Sequence, residues 1–164
     1  MKFALILALS AASFATQVAQ AADTKEEPPA PRAAAPAADK LGPARKLIDA
    51  RQWAAAIDEL KRVDDRSSAD WNNLMGYTAR KTAVPDLAAS ERYYDAALHI
   101  DPHHRNTLEY SGELYLMKGE LPKAQSRLAA LQAECGTGCS QYADLKGAIE
   151  RYQANGNKYV ASGW

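Results

Sequence analysis

The chain has 164 residues, 47% of them hydrophobic and 24% charged, which is enough for one domain-sized core and too apolar for a wholly disordered or collagen-like chain. Twenty basic residues balance twenty acidic ones, so no long-range field draws the chain to nucleic acid or to an anionic membrane surface. Nucleic acid is therefore not an expected partner.

Met1-Lys2 opens with a positive charge, Phe3 to Leu9 is an unbroken apolar run, and Ala19-Gln20-Ala21 has the small-x-small form of a cleavage site. This pattern predicts a secretory signal peptide over residues 1–21. The apolar run is too short to span a bilayer, and no stop-transfer segment follows, so no stable membrane insertion is expected after signal removal. No cysteine stands at the cleavage site to take a lipid. A short Ala-rich signal with a single Lys fits bacterial export, and the expected location is the periplasm. Residues 22–39, ADTKEEPPAPRAAAPAAD, contain four prolines and no apolar side chain larger than Ala. They bury too little surface to offset ordering entropy, so a disordered linker is expected, with a Pro-rich recognition segment as the alternative.

Beyond residue 40 the sequence repeats. Ala56, Ser90 and Ala124 are each 34 residues apart, and each follows a small residue on a preceding segment: Ala44, Gly76 and Gly112. Close crossing of two helices needs small residues at these points. Leu47, Trp53, Ile57, Leu60 and Val63 recur at helical spacing, as do Leu108, Leu114, Tyr115, Leu121, Leu128 and Leu131, so each helix carries an apolar stripe. Pro85, Gly119 and Pro122 punctuate turns, while Pro43 and Pro122 suit first helical turns. The expected repeats cover about 40–68, 69–104 and 105–138, giving six helices. A seventh over 140–154, with Ser140 as N-cap and Tyr142, Leu145, Ile149 and Tyr152 on one face, caps the apolar end. The tail 155–164 has no period and reads as coil, with Trp164 either packing back or serving as a handle for a partner.

This period, with the segments WNNLMGY, YYDAALHIDP and LEYSGELYLMKGELPKAQSRLAAL, resembles the tetratricopeptide repeat over residues 40 to 138. The resemblance implies an all-α fold, a superhelical solenoid of three helix-turn-helix pairs plus a C-terminal capping helix, within a domain at 40–154. It also implies a concave groove, lined by the first helix of each pair, that holds a segment of another protein. The groove positions would be Arg45 in the first copy, Asn73, Tyr77, Arg80 and Lys81 in the second, and Asn106, Glu109, Glu113 and Leu116 in the third. Asn73 and Tyr77 would bond a peptide backbone, Arg45, Arg80 and Lys81 would meet carboxylates, and Glu109 and Glu113 a basic side chain. The third copy has Glu109 and Glu113 where the carboxylate-clamp subclass has basic residues, so a bound C-terminal carboxylate is not expected.

Cys135 and Cys139 bracket Gly136-Thr137-Gly138. In an exported chain a structural disulfide is the leading reading, and a redox-active dithiol and metal ligation stay open. His99, His103 and His104 flank Pro102, which breaks any shared helical face, so they read as solvated turn residues and not as a metal site. No GxSxG, HExxH, P-loop or GxGxxG occurs, and no catalysis, cofactor or metal is expected. The expected function is a non-catalytic protein-protein interaction scaffold or adaptor of the bacterial cell envelope. The alternatives are a redox-responsive protein using Cys135 and Cys139, and a structural subunit of an envelope complex.

Overall fold

The computed structural model describes residues 39–160; the expected signal peptide, all but the last residue of the Pro-rich linker, and Trp164 lie outside the described residues. Among the described residues there are seven α-helices and no strand: α1 Gly42–Asp49, α2 Trp53–Val63, α3 Ala69–Lys81, α4 Leu87–Ile100, α5 Arg105–Met117, α6 Leu121–Cys135 and α7 Ser140–Ala154. No helix among them is long and apolar enough to cross a membrane.

Local chemistry sets most of the helix starts. Pro43 and Pro122 occupy the first turns of α1 and α6, where a missing N–H leaves nothing unpaired. Ser68, Asp86 and His104 cap α3, α4 and α5, their side chains accepting from the backbone N–H of Trp71, Ala89 and Thr107. For α7 the N-cap is Cys139, in extended conformation and with no side-chain capping bond, and not Ser140 as the sequence predicts. Its disulfide partner Cys135 ends α6, with the two Cα atoms 5.9 Å apart, so the bond holds Cys139 as the last extended residue and helical geometry begins one residue later. Between α5 and α6 the backbone turns at Gly119 with φ of 77°, a left-handed conformation that costs glycine little.

Each helix packs against its neighbour in sequence, and α3 also meets α5 while α5 meets α7. Helix α5 is therefore enclosed, and nine of its thirteen residues are buried. One core forms between α1, α2 and α3 from Leu41, Ala44, Leu60, Trp71 and Met75, and the Trp71 indole N–H donates to the Leu60 carbonyl at 2.7 Å. Another forms between α5, α6 and α7 from Leu108, Tyr115, Leu131, Leu145, Ile149 and their neighbours. After α7 the chain runs as coil, and Tyr159 and Val160 border a small hollow with Glu113, Ala148, Arg151 and Tyr152.

The two small residues on α3 and α5 do different jobs. A Cβ on Gly76 would lie 2.7 Å from the buried ring of Tyr94 and 3.1 Å from the Ser90 carbonyl, so Gly76 lets α4 approach. At Gly112 the intruding atoms belong to Leu145 of α7, the nearest at 2.5 Å. Gly112 thus makes room for α7, whereas the repeat pattern alone pairs it with Ala124 of α6.

Gly76→Ala should destabilise the protein by roughly 1–3 kcal/mol in urea unfolding, although Ala gains about 1 kcal/mol in helix propensity. Gly112→Ala should cost less, since the close atoms all belong to the Leu145 side chain, Cγ at 3.2 Å included, whereas at Gly76 a backbone carbonyl is also close; equal costs would mean that the Tyr94 ring yields as easily as Leu145. Replacing Cys135 and Cys139 together by Ser should lower stability by about 2 kcal/mol, the entropy of a five-residue ring, while the helical circular dichroism is retained.

Candidate functional site

Helices α1, α3, α5 and α7 line one face of the molecule, and two clefts adjoin there. The first, about 260 Å³, is bordered by Arg45, Ile48 and Asp49 of α1, Asn73, Leu74 and Tyr77 of α3, and Asn106 and Tyr110 of α5. The second, about 220 Å³, is bordered by Tyr77 and Lys81 of α3, Asn106, Glu109, Tyr110 and Glu113 of α5, and Ser140, Gln141 and Asp144 of α7. Tyr77, Asn106 and Tyr110 belong to both. The rings of Tyr77 and Tyr110 lie 4.7 Å apart, and Trp53 meets Tyr77 edge-on at 6.2 Å.

Beneath this face lies a charged pair. Arg80 is 3% exposed, and its Nη2 donates to Glu113 Oε2 at 2.7 Å. Its guanidinium also stands 5.7 and 5.9 Å from the ring centroids of Tyr77 and Tyr110, within cation–π range. Ionic ties continue along the N-terminal ends of the helices. Asp70 accepts from Arg45 at 3.1 Å and lies 3.0 Å from His104 Nε2. Nδ1 of His104 accepts from the Thr107 N–H and lies 2.7 Å from Thr107 Oγ1. Thr107 Oγ1 donates to Asn73 Oδ1 at 3.1 Å.

Several residues expected to face a partner are thereby occupied. Leu116 is 1% exposed and belongs to the core between α5, α6 and α7, so it is not a groove residue; its side chain satisfies the apolar demand of the enclosed helix. Arg80 meets the carboxylate of its own chain's Glu113, not that of a partner. Asn73 is buried and bonded to Thr107, and Arg45 is held by Asp39 and Asp70. His104 is not a solvated turn residue either, since it caps α5 and ties it to α3, whereas His103 is exposed and bonds Glu134. Tyr77, Lys81, Asn106, Glu109 and Glu113 come together around the second cleft.

The residues of the second cleft that the repeat pattern missed are Tyr110, Ser140, Gln141 and Asp144. The last three lie on α7, read from sequence only as an apolar cap. Gln141 Nε2 donates to Asn106 Oδ1 across a 35-residue separation, and the same step from Glu109 reaches Asp144. Extending the period into α7 would have found them.

Glu109 is the chemically unusual group. It is 7% exposed and has no hydrogen bond or ion pair among the described residues. Burial, reinforced by the nearby carboxylates of Glu113 and Asp144 and opposed by Arg80, pushes its carboxyl up to about 8. Lys81 is pulled below its ordinary range by burial and by Arg80. Among the described residues no group of three or more His, Cys, Asp or Glu could hold a metal ion. A wider cleft of about 410 Å³ lies between α3 and α4, bordered by Arg66, Trp71, Asn72, Arg92 and Tyr93. Its Asn72 amide already bonds the Arg66 and Ser68 carbonyls, and Arg66 bonds Asp64, so it offers fewer polar groups to a ligand. No protein-family model, no curated protein and no solved structure matches the chain.

Between pH 4.5, the ordinary value for Glu, and about pH 8 the folded chain holds a proton on Glu109 that the unfolded chain has released. The contribution of this group to stability is complete below pH 4.5 and is lost as pH rises through 8. The unfolding free energy from urea titrations between pH 5 and 9 should fall by on the order of 1–3 kcal/mol from this source, and Glu109→Gln should flatten that slope; an unchanged slope would assign it to another group.

Proposed function

We propose that residues 40–154 form a short solenoid of three tetratricopeptide-like helix pairs with α7 as its cap, and that the chain is an exported, non-catalytic adaptor that holds a segment of another protein. The repeat reading is supported by contacts between residues one period apart. Asn73 bonds Thr107, and Asp70 meets His104, each pair separated by 34 residues; Arg80 pairs with Glu113 across 33. Contact of α3 with α5 and of α5 with α7 is what stacking of successive pairs requires. Export to the periplasm rests on the charge and apolar pattern of residues 1–21.

The observation that carries the binding role is the pair of adjoining clefts along the face of α1, α3, α5 and α7, joined through Tyr77, Asn106 and Tyr110. Two tyrosines with half-exposed rings offer apolar area together with a polar tip, a combination favoured at protein interfaces. Asn106 adds an exposed amide beside them.

An affinity capture with the chain from an extract of the cells that make it tests this reading. A recurrent partner should be captured by the native protein and reduced by about tenfold or more with Tyr77→Ala/Asn106→Ala, as for loss of an aromatic anchor, with the helical spectrum unchanged. Retention of the same partner by the double variant would place its interface elsewhere.

A further inference from the structure

We propose that the cleft between α3, α5 and α7 is a receptor pocket for one basic side chain, an arginine or lysine presented by the segment that the chain binds. This deepens the adaptor reading by naming what the segment must carry at this point.

The argument begins with unmatched charge. Glu109 lines the cleft, is more than nine-tenths buried and has no hydrogen-bond or ion-pair partner among the described residues. The charged groups around it come from three helices. From α5, Glu113 is already paired with Arg80 of α3 at 2.7 Å. From α7 comes Asp144, and from α3 Lys81, whose ammonium lies over the Tyr77 ring at 5.6 Å and not in an ion pair. Arg80 pairs with Glu113, which leaves Glu109 and Asp144 in the cleft lining against the single ammonium of Lys81. A carboxylate facing this cleft with like charges beside it is favoured in its ionised form only where a cation meets it, and without one it keeps its proton, in line with its raised pKa. An entering cation replaces that proton.

The walls suit such a guest. Tyr77 and Tyr110 border the cleft, and a tyrosine ring face attracts a cation; their hydroxyls hold their protons more firmly than usual because both are partly buried, so they add no competing negative charge. The volume of about 220 Å³ falls below the roughly 300–1,000 Å³ of pockets that enclose whole small ligands. It has room for one side chain, and the adjoining cleft continues past Tyr77 toward α1, where the flanking backbone can lie.

The test uses N-acetyl-arginine amide and N-acetyl-lysine amide, with N-acetyl-citrulline amide as the neutral match to arginine, titrated into the full chain at low salt and read from the tyrosine ring resonances. At pH 7 either basic probe should bind about tenfold or more tightly than citrulline, and Glu109→Gln should weaken it about fivefold or more. Asp144→Asn should weaken binding in the same direction, and it decides the matter if Glu109→Gln fails to fold; Asp58→Asn on exposed α2 should not. Equal binding of citrulline and arginine, or full affinity in the folded Glu109 and Asp144 variants, overturns the proposal. Capture of a cellular partner that survives Glu109→Gln and excess arginine amide also overturns it while the adaptor reading stands. Binding of the basic probes by a chain that captures no partner supports the pocket and removes the adaptor role.

Discussion

Arg80 is a charge that cannot be switched off, buried where water cannot reach it. A guanidinium keeps its proton in any protein environment, so its position on α3 demands a carboxylate opposite, and Glu113 of α5 supplies it at 2.7 Å. That demand is directional as well as electrostatic, because the donors of the guanidinium fan out in a fixed plane. It sets α3 against α5 in one register, and in that register Asn73 reaches Thr107 and Asp70 reaches His104. The fully buried Tyr94, held against Gly76, closes the other side. An ion pair of this kind is weak evidence for stability, since removing two charges from water is costly; what it fixes here is alignment.

Alignment explains the electrostatics of the face above. Glu109 and Glu113 sit four residues apart on α5, so they share one side of the helix. Pairing one of them with Arg80 leaves the other without an ion pair among the described residues, and Asp144 from α7 adds a like charge. The cleft is acidic in excess although the chain as a whole is neutral. Net charge therefore says little about this protein's partners, and the local field says more.

The helical class, the seven helices and the cysteine pair were legible in the sequence, because each depends on local pattern: apolar spacing, turn residues, two thiols four residues apart. The candidate site was legible only in part. Tyr77, Lys81, Asn106, Glu109 and Glu113 occupy polar positions of first helices, and a repeat places such positions on one face. Leu116 failed because α5 is enclosed by four helices and has no solvent stripe from Thr107 to Leu116, which periodicity within one helix cannot register. Arg80 and Asn73 failed for a related reason: a polar residue of α3 buried against a polar residue of α5 looks, in sequence, like one facing water. His104 was hidden by its neighbour Pro102, which marks a turn but not that the next helix would use the imidazole as its cap.

The disulfide between Cys135 and Cys139 bears on more than the end of α6. Its second cysteine is the residue from which α7 starts, and the first two turns of α7 carry Ser140, Gln141 and Asp144, one whole wall of the cleft. Without the bond that wall rests on the packing of Leu145, Ile149 and Tyr152 and on the Gln141–Asn106 hydrogen bond; with it, the wall is also anchored at its origin. The disulfide thus ties one wall of the cleft to the end of α6, so a change at the cysteine pair reaches residues that line the cleft.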